Sequence, residues 1–254
     1  MKTKLYKNNG MMIAGITLRD PVEFESNNMA LHACENLENV LENRKKLAAF
    51  LNCDLENFVC AKQTHSANFH RVMIGDKGRG SDRLETAIPD TDALYTFEPN
   101  LLLCSFNADC VPVIFYHEGT GAVGVVHSGW QGTVKEITLK VFKHLIQAED
   151  CDPSGFHVQI CPALSQEKFE VDEDVYVKFK DLGYADAFMY YNERTNKYHI
   201  DNQLTVKKQC MLAGIPEAQI TIDRTCTYIS EDGFSYRQDK HAGRHLCFIM
   251  KKSR

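Results

Sequence analysis

Although the chain carries ten cysteines, no two are spaced CxxC, and Cys60, Cys104, Cys161 and Cys247 lie inside apolar runs. Zinc ribbons and thioredoxin-like redox motifs are thereby disfavoured. Thiols in such runs behave as small hydrophobes in a reducing compartment. No window reaches the roughly 18 to 20 consecutive apolar residues that a bilayer crossing requires. The basic opening MKTKLYKNNG leads into an apolar stretch broken by Gly15 and Thr17, without a small-residue cleavage site. Residues 11–18 are therefore read as a first strand and not as a signal peptide, and a cytoplasmic protein with no membrane contact is expected. Charge of one sign is also lacking: 29 Lys and Arg stand against 34 Asp and Glu, a net −5. No basic surface suits nucleic acid and no acidic tract suits disorder. The zincin motif HExxH is absent, and so are HxE and PCxxC of the usual base deaminases.

What is present is a chain of 254 residues, 44% apolar and 25% charged, long enough to bury a sizeable core. It shows no repeat, low-complexity segment or long linker, so residues 1–254 are expected to form one domain. Strand-like runs fall at 11–18, 58–62, 69–74, 93–97, 101–106, 111–116, 121–126, 156–160 and 245–250. Helical patterns fall at 36–52, 132–147, 172–181 and 201–213, the last with Asp201 as N-cap and Gly214 as its stop. The strands cluster without regular βα alternation, which predicts an α+β fold of mixed sheets, a sandwich-like core flanked by helices. Residues 75–92, GDKGRGSDRLETAIPDTD, read as an exposed loop of the kind that borders a site.

The most informative stretch is NADCVPVIFYHEGTGAVGVVHSGWQGT, 107–133, in which two apolar runs flank the polar loop His117–Glu118–Gly119–Thr120. Such runs pair as an antiparallel hairpin. If Tyr116 faces Gly121, Cys110 stands opposite His127, and directly opposed residues share a face with Cβ atoms about 5 Å apart. Pro112 lacks an amide donor and predicts an edge strand or a bulge beside the site. After His127, a glycine-broken turn enters a helix whose first amides can receive an anion, and the sole tryptophan, Trp130, either covers the core edge or walls a pocket for a flat ring.

His65 follows the strand run FVCAK, where a chain end can project it into a shared cleft. Two imidazoles and a thiolate suit zinc, and three protein ligands leave a fourth position open, as in catalytic sites. Two other readings use the same residues: Cys110 activated by His127 as a metal-free nucleophile, or a structural zinc in a binding module. Asp109 and Asp92 are candidate proton carriers and equally candidate turn formers. Arg44 falls in the apolar stripe of the first helix, where it either snorkels or pairs with a buried carboxylate, or faces a pocket as an anion-binding group.

Seven stretches in order, NMALHACENLENVLENRKKLAAFL, KQTHS, DTDALYT, NADCVPV, HSGWQGT, CPALSQEKFEVDEDV and FSYRQDKHAGRHLCFI, span almost the whole chain. In them the chain resembles the YfiH-like family, also labelled laccase-domain or multicopper polyphenol oxidase and associated with purine nucleoside phosphorylases. The resemblance implies zinc on His65, Cys110 and His127. It implies phosphorolysis of adenosine, inosine and methylthioadenosine to free base and ribose 1-phosphate, with accompanying adenosine deamination. It further implies a fold like the catalytic domain of cytotoxic necrotizing factor, and as partners a purine nucleoside and phosphate, in a monomer or homodimer. Gln63, Trp130, Arg44, Arg237 and Arg244 are the substrate contacts carried over. One departure is visible: where the family has a cation after HxGW, this chain has Gln131, which shifts phosphate binding to the arginines. Copper is the alternative metal, but none of the ten histidines forms the HxH pair by which multicopper oxidases resemble one another.

Overall fold

The computed structural model describes residues 1–253. Among them the apolar runs form fourteen strands: β1 (Thr3–Asn8), β2 (Met12–Thr17), β3 (Phe58–Cys60), β4 (Phe69–Arg71), β5 (Ala93–Thr96), β6 (Leu102–Asn107), β7 (Val111–His117), β8 (Val123–Ser128), β9 (Phe156–Ile160), β10 (Glu170–Val171), β11 (Met189–Asn192), β12 (Lys197–Ile200), β13 (Ile220–Ile222) and β14 (His245–Lys251). The α-helices are α1 (Leu37–Leu51), α2 (Trp130–Val134), α3 (Ile137–Ala148), α4 (Glu173–Lys180) and α5 (Asn202–Leu212).

Two mixed sheets pack face to face, one ordered β1-β2-β14-β6-β3 and the other β13-β9-β7-β8-β5-β4. Ile16, Leu103 and Ile249 of the first meet Leu94, Ile114 and Val125 of the second. On the outer face of the first sheet, α1 sets Leu47, Ala48 and Leu51 against Phe58, Leu102 and Phe248. On the outer face of the second, α3 and α5 set Val141, Phe142, Leu145 and Val206 against Val113, Phe115 and Val158. The layers are thus helix, sheet, sheet, helix, and the expected α+β sandwich is the fold observed. Strands covered on both faces read as continuous apolar runs, not as alternation, which is the pattern of LLLCSF and VPVIFY. A third sheet, β10-β12-β11, packs with α4 around Phe169, Phe179 and Ile200.

Local signals place the helix ends. Asn36 accepts from the Glu38 amide at the start of α1, and Asn52 ends it in the left-handed region at φ 56°. Asp201 caps α5 by accepting from Leu204 N–H, and Gly214 follows its end at φ 98°. The single helix expected over 132–147 is instead two, broken by Glu136 at φ 60°. β1, β10, β11, β12 and β13 were not expected, being short, edge-lying or rich in lysine and tyrosine. β7 is interior, not an edge, because β9 and β8 flank it. Pro112 is tolerated because its carbonyl, accepting from Cys161 N–H at 2.9 Å, and hence its nitrogen point toward β9, whose paired run ends at Ile160.

Candidate metal centre and its cleft

The β7–β8 hairpin delivers a thiol and an imidazole to one place, in a register two residues away from the one expected. His117 is the last residue of β7 and not part of the loop, so Pro112, not Cys110, stands opposite His127. His117 belongs to the strand because its buried ring accepts from Thr120 N–H and bonds the Asp152 carbonyl. A shift of two preserves the face on which each side chain lies. Cys110, one step before the strand, therefore remains on the face of His127 as a diagonal neighbour.

His65 enters from the loop after β3. Its φ of 58° is uncommon for a residue with a side chain, and it is sustained by Asp92, just before β5. The Asp92 carboxylate receives the amides of Thr64 (3.2 Å), His65 (3.1 Å) and Ser66 (2.7 Å) and the Ser66 hydroxyl (2.7 Å). The same carboxylate takes the Nδ1 proton of His127 at 2.8 Å, while the His127 amide donates to the Asp92 carbonyl at 2.7 Å. One buried side chain thus fixes the backbone that carries the first imidazole and the ring orientation of the second. With Nδ1 spent on Asp92, Nε2 is the His127 atom left to bind.

His65, Cys110 and His127 each offer a donor atom, all within 4.8 Å of one another, with Cys110 Sγ 3.8 Å from His65 Nε2. The imidazole rings meet edge to face at 4.9 Å. Burial raises the Cys110 thiol, but the His127 charge and hydrogen bonds from His127 and His65 outweigh it and bring it down to about 6. Burial lowers His127, and Cys110 with Asp92 lifts it to about 9. Asp92 is raised by burial and lowered further by His127 and Ser66, so it stays well below the ordinary carboxylate range. A thiolate and a ring whose Nδ1 is anchored are what a thiophilic divalent ion requires.

Gly129 makes room for the cluster. A Cβ there would lie 2.6 Å from His65 Cδ2 and 2.9 Å from Cys110 Sγ. The donor set, its spacing and this cradle all fit a zinc-like ion on His65, Cys110 and His127.

The remaining sequence candidates are placed as follows. Asp109 is locked as an acceptor and not free as a proton carrier: Thr227 Oγ1 (2.7 Å), Ser235 Oγ (3.0 Å) and Arg237 N–H (2.7 Å) all donate to it. It ties the 227–237 segment to the turn that bears Cys110. Gln63 spends both amide atoms on the Phe106 backbone, at 2.9 and 2.8 Å, continuing the ladder of β6 where β3 has stopped. Arg44 is 1% exposed and meets no carboxylate; it donates to the carbonyls of Met29, Gly80 and Ser81 at 2.7–2.8 Å and holds the 78–92 loop to α1. Arg237 donates to the carbonyls of Lys168 and Glu170. Asp109, Gln63 and Arg44 are structural straps in this arrangement, whereas exposed Arg237 keeps Nε and Nη2 without a partner among the described residues. Trp130 is half-buried against the cluster of the third sheet. Lys135, one turn beyond Gln131, donates to the His65 carbonyl at 2.7 Å.

Arg244 differs. It lines a cleft of about 1070 Å³ with His32, Arg19, Asn28 and Ser235. Burial lowers its guanidinium against the charges of Cys110 and Asp109, and Ser235 links the cleft wall to Asp109, so the cleft reaches the turn beside Cys110, while His65, Cys110 and His127 themselves do not line it. The sequence marked Asp92 only as a turn former or proton carrier and did not mark Gly129, Asn28 or His32; each acts through neighbours remote in the chain.

A family model described as multi-copper polyphenol oxidoreductase laccase matches residues 16–252. The purine nucleoside phosphorylase YlmD of Geobacillus stearothermophilus is 33% identical over 247 residues, 94% of this chain and 90% of that protein. A purine nucleoside phosphorylase of Bacteroides thetaiotaomicron is 33% identical over 234 residues, 89% of this chain and 85% of its own. The crystal structure of the Bacillus licheniformis hypothetical protein YfiH superposes with a TM-score of 0.90 at 34% identity, covering 95% of this chain and 93% of that one.

Proposed function

The chain belongs to the multi-copper polyphenol oxidoreductase laccase family, and on that premise we propose that it is a zinc-dependent purine nucleoside phosphorylase. Its substrates are adenosine, inosine and methylthioadenosine, which phosphate converts to free base and ribose 1-phosphate, or 5-methylthioribose 1-phosphate from methylthioadenosine, and adenosine deamination accompanies this. The observation that carries the reading is the convergence of His65, Cys110 and His127 within 4.8 Å, beside a cleft large enough for a nucleoside. The relatives named as purine nucleoside phosphorylases support the substrate class.

His65, Cys110 and His127 would hold the ion, which supplies a Lewis acid at that point. The chain's own residues do the rest. Asp92 fixes the two imidazoles, so the donors are set before substrate arrives and little reorganisation is needed. Cys110, kept as a thiolate, supplies the negative charge that balances the cation. Asp109 holds the 227–237 wall of the cleft against the Cys110 turn, which positions a nucleoside in the cleft relative to the ion. A multicopper oxidase is disfavoured because the described residues offer one cluster of ligands with the spacing a metal needs. Copper on that cluster, or a metal-free Cys110–His127 pair acting as a hydrolase, would give other products.

Metal analysis of the purified protein, with product detection from adenosine or inosine plus phosphate, separates these. The expected result is about one zinc per chain, the number three ligands bind, with ribose 1-phosphate released in step with free base. Inosine from adenosine in stripped protein would favour the hydrolase. Phenol oxidation by copper-loaded protein would favour the oxidase. Neither base nor inosine under any loading would overturn the proposal.

A further inference from the structure

The short helix α2 lies along the segment that carries His65, and three positions spaced by three residues, Gly129, Gly132 and Lys135, meet that segment in turn. A Cβ at Gly129 would overlap the His65 ring, and one at Gly132 would lie 3.5 Å from the Ser66 carbonyl oxygen. At the end of the helix, where Lys135 is the C-cap, its Nζ donates to the His65 carbonyl at 2.7 Å. Positions three apart are neighbours on a helix surface, so two glycines admit the segment and one lysine grips it.

The grip falls on a single peptide group. Ser66 N–H donates to Asp92 Oδ2 at 2.7 Å, and the oxygen of the same peptide, that of His65, receives Lys135. In a trans peptide the N–H and C=O point in opposite directions, so a carboxylate sits at the positive end of the peptide dipole and an ammonium at the negative end. Both attractions resist rotation of the peptide plane. That plane sets ψ of His65, whose φ is already the uncommon 58°.

Lys135 is exposed and makes no ion pair among the described residues. The acids around it are engaged elsewhere: Glu136 accepts from the Tyr184 hydroxyl at 2.9 Å, Asp90 from the Thr64 hydroxyl and the Asn68 side chain, and Asp92 from the 64–66 segment and His127. The helix that bears it is anchored in turn. Thr133 N–H and Oγ1 donate to the Gly129 carbonyl at 2.8 and 3.2 Å, and Gln209 Nε2 donates to the Thr133 carbonyl at 2.8 Å.

We infer that Lys135 is a positioning residue for the metal ligand His65: it holds the His65–Ser66 peptide against Asp92 and so keeps the imidazole within reach of the ion that Cys110 and His127 share. The inference rests on the metal-centre part of the proposed function and not on the identity of the substrate. Because α2 follows directly after His127, one stretch of chain carries a ligand at its entrance and aligns another at its exit. Asp92 holds one end of the peptide and Lys135 the other, so loss of the exposed partner is the milder loss.

The test compares wild type, Lys135→Met, Lys135→Arg and, as a control on an exposed lysine without a partner among the described residues, Lys140→Met. Zinc affinity is measured against a chromophoric chelator, ligand geometry by the visible spectrum of cobalt-loaded protein, the peptide by amide exchange at 64–66, and the fold by melting of stripped protein. An exposed bond of this kind contributes little to the fold, so stripped Lys135→Met is expected to melt as wild type does. Its zinc affinity is expected to fall about three- to tenfold, less than outer partners of metal ligands usually supply because the bond is exposed, with a shifted cobalt spectrum and faster exchange at Ser66. Lys135→Arg should recover most of the loss, and Lys140→Met should match wild type. A folded Lys135→Met with wild-type zinc affinity, cobalt spectrum and Ser66 exchange overturns the inference. Wild type that binds zinc but forms no ribose 1-phosphate overturns the phosphorylase reading alone, and lost affinity in Lys135→Met then still supports the positioning role. Wild type that takes up neither zinc nor cobalt overturns the metal centre and the inference with it.

Discussion

Gly129→Ala places one methyl group where two of the three candidate metal ligands, His65 and Cys110, meet. The backbone permits it, since Gly129 has φ −63° and ψ 165°, so the consequence is steric. The new Cβ would lie 2.6 Å from His65 Cδ2, 2.9 Å from Cys110 Sγ and 3.3 Å from His65 Nε2. Carbon atoms rest about 3.5 to 4.0 Å apart, so His65 must retreat by about 1 Å. Ligand distances at zinc are held within about ±0.2 Å, so the retreated ring cannot bind without returning to the clash. Overpacking of this kind costs about 1 to 3 kcal/mol, which corresponds to metal binding weakened roughly 5- to 150-fold. The metal-free protein can leave His65 swung aside, so its melting temperature should change little. Competition against a chromophoric zinc chelator measures the affinity, and melting of stripped protein measures the fold. An alanine variant that binds zinc as tightly as wild type would refute the assignment of His65 and Cys110 to one ion.

Asp92→Asn keeps the size but replaces one acceptor by a donor facing the amides of 64–66 or His127 Nδ1; metal affinity is expected to fall about 10- to 100-fold, with faster amide exchange at 64–66, and unchanged affinity would show that Asp92 does not orient the ligands. Arg44→Met orphans the carbonyls of Met29, Gly80 and Ser81 and should cost about 2 to 4 kcal/mol in urea unfolding, while the KM for phosphate stays at the wild-type value; the reverse result would restore Arg44 as a substrate contact. His245, 1% exposed, is pushed down to about 4 by burial, against an ordinary 6.5. Because the unfolded chain takes up that proton first, its contribution is full above pH 6.5 and is lost as pH falls toward 4, about 3 kcal/mol at about 1.4 kcal/mol per pH unit; wild type should lose more stability across that window than His245→Gln in urea melts at several pH values.

The sandwich was legible because strands buried on both faces leave unbroken apolar runs, and α1 and α5 because Asn36, Asp201 and Gly214 are cap signals that act within a few residues. The hairpin register was not, because polarity alone assigns His117 to the loop. Its bonds to Thr120 and Asp152 that make it a strand residue are invisible in the chain order. The error was an even number of residues, so the face shared by Cys110 and His127 survived it. Arg44 was legible as an anomaly in an apolar stripe, yet its partners are carbonyls, and carbonyls have no sequence signature. Asp92 illustrates the same limit: an aspartate after a loop reads as a turn former, and only the fold brings it three backbone amides and an imidazole.

The location of the ligands also bears on what metal removal should do. Among neighbouring antiparallel strands, the start of one lies beside the end of the next. β5, β8 and β7 are such neighbours, so Asp92 before β5, His127 near the end of β8 and Cys110 before β7 fall at one end of the second sheet. Asp92 already closes the arrangement by holding His65 and His127 without any ion, and the apolar clusters on both faces of the sheet lie apart from it. Stripped protein should therefore unfold cooperatively, with the far-UV circular dichroism of the loaded form. Added zinc should raise the melting temperature in proportion to the logarithm of its concentration above the dissociation constant. A zinc finger behaves oppositely, losing its fold with its metal. Stripped protein without a cooperative transition would mean that the ion, and not Asp92, assembles this end of the sheet.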